Sequence, residues 1–79
     1  MKYSDETLEQ VRSAVAIVTR NDMTHFKPED DLSLDSISRI ALIPELENAF
    51  DIEISQEEML PEIFKSLTTI ASFIEGIRQ

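Results

Sequence analysis

Among the side chains that could do chemistry in this chain, Ser36 is the best placed. It follows Asp35 where the polar stretch Asp31-Leu32-Ser33-Leu34 gives way to an apolar-periodic run beginning at Ile37. Asp35 is suited to cap a helix there, because its carboxylate can accept bonds from the free amides of the first turn. Ser36 then falls in that first turn, where a short hydroxyl has no packing task. A serine held at a helix start, beside an acid and within an acidic surface, is a place suited to covalent attachment. Taken alone, however, Asp-Ser is also an ordinary helix start, since capping residues are common everywhere.

Other chemistries are poorly supplied. The chain has no cysteine, so a disulfide framework, a thiolate metal site and a thiol nucleophile are all excluded. His25 is the single histidine and reads as a solvated loop residue, with no partners for catalysis or metal binding. The paired acids Asp30-Asp31 and Glu57-Glu58 are sequence neighbours that need not converge on a substrate. With no glycine-rich phosphate loop and no metal-ligand cluster, the chain is not expected to be an enzyme.

Charge narrows the partners. The net charge is −9, and between Glu29 and Glu58 ten acids face one base, Arg39. The rest of the chain holds six acids and six bases, so the acidity is concentrated around the Asp35-Ser36 helix. Such a field repels nucleic acid and anionic membrane and speeds encounters with basic protein surfaces.

These residues must be positioned by a small helical domain. Seventy-nine residues, 42% of them apolar, with one glycine and three prolines, suit one ordered, mostly helical domain spanning 1–79. The absence of a membrane-length apolar run and of a signal-like start leads us to expect a soluble, cytoplasmic monomer. The first helix is predicted over about 5–20, with Leu8, Val11, Val15 and Val18 as its stripe, widened by Ala14 and Ile17. Arg12 falls on its other side, and Asn21-Asp22 stops it. A loop to Asp35 carries apolar pins at Met23, Phe26, Leu32 and Leu34, and a loop of that length is more often functional than not.

The second helix is predicted over 36–50. Leu42, Ile43, Leu46, Ala49 and Phe50 make a core face, whereas Ile37, Ile40, Ala41 and Pro44 form a second face beside Ser36. Both cannot be buried in so small a domain, so the second is a candidate docking surface with an acidic rim. Pro44 should kink this helix. Asp51 to Ile54 reads as an extended connector. Ser55-Gln56-Glu57-Glu58 is a capping box that opens a short helix over about 56–61. Pro61 ends it or begins another turn that turns Ile63 and Phe64 inward. A last helix over about 69–77, capped by Thr68 or Thr69, carries Ile70, Phe73, Ile74 and Ile77. The expected fold is all-α, a bundle of three longer helices and one short one.

In this order the motifs resemble the acyl carrier protein family, and the resemblance covers nearly the whole chain. It is carried by Asp31-Leu32, Asp35-Ser36-Ile37, Leu42, Leu46-Glu47, Phe50, Ile52 and Ile54, then Leu60-Pro61-Glu62, Phe64, Thr69-Ile70 and Phe73-Ile74. The family hallmark Asp-Ser-Leu reads Asp-Ser-Ile here, and Ser33 replaces the glycine usual two residues before the aspartate.

The resemblance implies an acyl-carrier-type bundle in which a phosphopantetheinyl transferase moves 4′-phosphopantetheine from coenzyme A onto Ser36, next to Asp35. The arm's thiol then carries acyl groups as thioesters to enzymes of fatty acid, lipid or secondary-metabolite biosynthesis, while the carrier itself catalyses nothing. That fits a chain without cysteine, since the sulfur comes with the cofactor. Basic acyl-loading and acyl-processing enzymes would dock on helix two, which carries over to Ile37, Arg39, Ile40, Ile43 and Glu47. Arg39 and Pro44 depart from the family's usual residues and suggest a specialised carrier. An aminoacyl carrier, D-alanyl or peptidyl, is the first alternative; the second is a plain acidic helical interaction module with no arm.

Overall fold

The computed structural model describes residues 3–55 and 60–78. Helix α1, Asp5–Thr19, starts where the Ser4 side chain accepts the Thr7 amide at 3.1 Å, with Asp5 and Glu6 in the turn that the helix dipole favours. It ends at Arg20, whose φ of 59° is left-handed. Helix α2, Ser36–Phe50, is capped by Asp35 and closed by Asp51 at φ 54°. A 3-10 turn, Pro61–Lys65, leads into α3, Leu67–Arg78.

These elements enclose one core. Val11, Ala14 and Val15 of α1 meet Leu42, Ile43, Leu46 and Phe50 of α2 and Leu67, Ile70, Ala71 and Ile74 of α3. Phe64 of the 3-10 turn, Met23 of the first loop and Ile54 of the connector complete it. Helix α1 packs against both α2 and α3, so it is the central layer.

The loop between α1 and α2 is stitched down rather than loose. Arg12 donates to the carbonyls of Met23 and Phe26, each at 2.6 Å. Leu32 N donates to Lys65 O at 2.8 Å, and Thr68 N to Pro28 O at 3.1 Å, tying the loop to the 3-10 turn and to α3. The pins Phe26, Leu32 and Leu34 are half-buried against the core. The extended connector is held as its sequence suggests: Ile52 is half-buried, Ile54 buried, and the Ile54 amide donates to the Glu47 carboxylate at 2.9 Å.

Several expectations change. Among the described residues there are three helices and a 3-10 turn. The expected short helix falls largely on residues 56–59, outside those described; Leu60 is extended, and Pro61 opens the 3-10 turn with Phe64 buried. Helix α3 starts at Leu67, two residues early, because Ser66 caps it: Ser66 N donates to Thr69 Oγ1 at 3.0 Å, and Thr69 N to Ser66 Oγ at 3.3 Å. Thr68 and Thr69 thus lie inside the helix. Ile17 is 62% exposed, and Ala49 is exposed too; Thr7 takes a buried place on α1 instead. Arg12 faces inward to the loop, not away from it. Pro44 is exposed within α2, where its ring takes the place of an amide bond to the Ile40 carbonyl.

Candidate functional site

The start of α2 is fixed from both sides of Ser36. Asp35 Oδ1 accepts the Ser38 amide at 2.7 Å, and the Asp35 carbonyl accepts the Arg39 amide at 3.0 Å. The Ser38 amide first, then the Ser38 side chain, with a smaller contribution from the nearby Arg39 charge, hold the Asp35 carboxyl below the usual carboxylate range. Upstream, Ser33 takes a left-handed φ of 51°, supported by its amide donating to Asp31 Oδ1 at 2.9 Å. This turn brings the loop into the helix, and it explains why a glycine suits the position.

Ser36 is exposed in the first turn, and Arg39 Nη2 donates to its Oγ at 3.2 Å. The residues at this point fit an esterified phosphate: an accessible hydroxyl, a helix start with no acid in its first turn, and a guanidinium already bonded to the oxygen.

Around this point α2 divides as its two apolar faces require. Ile37 is 79% and Ile40 64% exposed, and Ala41 and Pro44 are exposed with them. Ile43 is buried in the core and so lies off that face, while Glu47 is half-buried and bonds the Ile54 amide. Of the residues singled out around helix two, the structure groups Asp35, Ser36, Ile37, Arg39 and Ile40 together and sets Ile43 and Glu47 apart. His25 is exposed in a turn. Among the described residues no cluster of His, Asp or Glu could hold a metal ion.

One surface escaped the sequence reading. Ile17 and Ala49 line a shallow groove between α1 and α2, rimmed by Glu6, Glu9 and Glu45. Helical phase was the available signal for Ile17: six residues from Val11, at 3.6 per turn, set it roughly 120° off the α1 stripe.

The family described as "Phosphopantetheine attachment site" matches residues 9–77. The acyl carrier protein of Helicobacter hepaticus (strain ATCC 51449 / 3B1) is 34% identical over 75 residues, covering 90% of this chain and 96% of that protein. No solved structure matches the chain.

Proposed function

This chain belongs to the acyl carrier protein family, a carrier with a 4′-phosphopantetheine cofactor rather than an enzyme, and we propose that the arm is esterified to Ser36. The observation that carries this is the Ser36 hydroxyl, exposed in a first helical turn that Asp35 caps through the Ser38 amide, and bonded by Arg39. A phosphopantetheinyl transferase is the partner that would load it. Ser36 Oγ is the nucleophile: its bond to the phosphorus of the phosphopantetheine half forms, the coenzyme A pyrophosphate bond breaks with adenosine 3′,5′-bisphosphate as the leaving group, and the hydroxyl proton passes to the transferase side. When bound, the arm supplies a thiol that holds acyl groups as thioesters.

The rest of the surface suits delivery. Ile37 and Ile40, with Ala41 and Pro44, form an apolar strip leading away from Ser36. Asp35, Asp51 and Glu53 add negative charge around it, which favours partner enzymes with basic surfaces. The pathway we assign is fatty acid, lipid or secondary-metabolite biosynthesis, and the proline and arginine on this helix favour a specialised carrier with its own partners.

The test is intact mass after incubation with coenzyme A and a promiscuous transferase. The expected result is one phosphopantetheine-sized gain on the native chain and none on Ser36→Ala. A gain that persists in Ser36→Ala would move the arm elsewhere, and none on the folded native chain would overturn the assignment.

A further inference from the structure

We propose that Arg39 is a built-in counter-ion for the arm's phosphate, seating it at the mouth of a depression between the start of α2 and the 3-10 turn. This rests on the assignment of the arm to Ser36. Arg39 lies one helical turn beyond Ser36, is half-buried, and already donates from Nη2 to Ser36 Oγ at 3.2 Å. That oxygen is the atom that gains an anion on loading. The bond, now made to a neutral hydroxyl, then becomes charge-assisted, and the guanidinium fork has further N–H donors to offer the phosphate oxygens.

Two further features point the same way. Arg39 is the single base among the residues from Glu29 to Glu58, where ten are acidic, and among the described residues it makes no ion pair with any of them. Loading Ser36 would otherwise place an anion directly beside the Asp35 carboxylate, and Arg39 offsets that charge. Arg39 also lines a depression of about 300 Å³ with Asp31, Leu34, Pro61, Glu62, Phe64 and Lys65. Of the two cations there, Arg39 and Lys65, Arg39 is the one bonded to the attachment oxygen. The chemistry recognised is thus a phosphodiester monoanion fixed to Ser36, with the first atoms of the arm lying against Leu34 and Pro61.

The test uses loaded and unloaded chain, confirmed by mass, for the native protein, Arg39→Gln and Arg39→Lys. Loading should shift the Arg39 Nε–Hε resonance of the native chain. The 31P resonance of the loaded native chain should differ from that of free phosphopantetheine and move back toward it in Arg39→Gln, with Arg39→Lys between. High salt should move the native 31P resonance in the same direction. If loading shifts the Ser36 amide but leaves Arg39 Nε–Hε in place, and the 31P resonance is the same in all three proteins, the counter-ion role is overturned. A chain that gains no mass at all overturns instead the assignment to Ser36, so the two failures are distinct. Helical circular dichroism of unloaded Arg39→Gln should match the native chain, which separates loss of the counter-ion from loss of the fold.

Discussion

A hydroxyl offers itself for attachment when its neighbours hold it in place without covering it, and at Ser36 the backbone does most of that holding. Asp35 fixes the first turn through the Ser38 amide, and Ser33 turns the chain into that cap with φ at 51°. A side chain in this left-handed region costs roughly 1–2 kcal/mol, against which glycine loses more freedom on folding. Ser33→Gly is therefore expected to stabilise the chain by about 0.5–1 kcal/mol, read as a higher urea midpoint. A lower midpoint would mean that the lost bond from Ser33 Oγ to Asp31 Oδ1 outweighs the backbone strain. The Asp35 cap also sets a pH dependence. Its carboxyl titrates below its ordinary value of 3.8 in the folded chain, so its stabilising effect is fully present above that value. It is lost as pH falls through the lowered folded value. Asparagine caps a helix about as well but carries no charge to titrate. Melting curves of Asp35→Asn and the native chain should thus differ most near neutral pH and converge in acid, and a gap that widens in acid would refute the sign.

Between elements, the loop that delivers Ser36 is held by one side chain whose role the sequence concealed. The Arg12 side chain is 15% exposed and gives one nitrogen to two loop carbonyls, while Glu9 pairs with its Nε at 3.2 Å. Arg12→Met keeps the aliphatic stem but removes the charged bonds to the Phe26 carbonyl and to the Met23 carbonyl, which keeps only the Phe26 amide at 3.0 Å, and charged hydrogen bonds of this kind are worth about 1.5–3 kcal/mol. A loss of about 2 kcal/mol in urea unfolding is expected, with faster amide exchange in residues 20–35. Exchange confined to α1 would place the effect in the helix instead. Helix periodicity carried α1, α2 and most of the core, because Val11, Val15, Leu42, Leu46, Ile70 and Ile74 repeat at three and four residues. Capping chemistry carried Asp35 and the start of α2. Long-range polar bonds were not legible, since nothing local says that Arg12 reaches eleven and fourteen residues ahead. Ser66 was hidden because Ser66, Thr68 and Thr69 can each cap, and only the buried Leu67 on the inner face decides among them. Ile43 served both apolar faces in sequence, and packing against the core settled which one keeps it.

At the scale of the whole molecule, charge and size act together. The chain measures 29 × 27 × 21 Å and carries a net charge of −9. At 0.01 M ionic strength the Debye length is about 30 Å, so every acid feels every other across the fold; at 0.15 M it is about 8 Å, and only neighbours interact. The acids from Glu29 to Glu53 lie on the helix, loop and connector that frame Ser36, so folding gathers charge that an extended chain would spread. Added salt should therefore raise the melting temperature. If screening recovers roughly 1 kcal/mol, a domain of this size shifts by about 5 °C between 0.01 and 0.15 M sodium chloride. Magnesium and calcium should reach the same plateau at lower concentration and match each other, because among the described residues no acidic cluster is built to prefer one ion. A melting temperature that stays flat over this range would show that the self-repulsion is already offset at low salt. The same field that costs stability speeds encounter with basic partners, so association rates of such a partner should fall over the salt range in which the melting temperature rises.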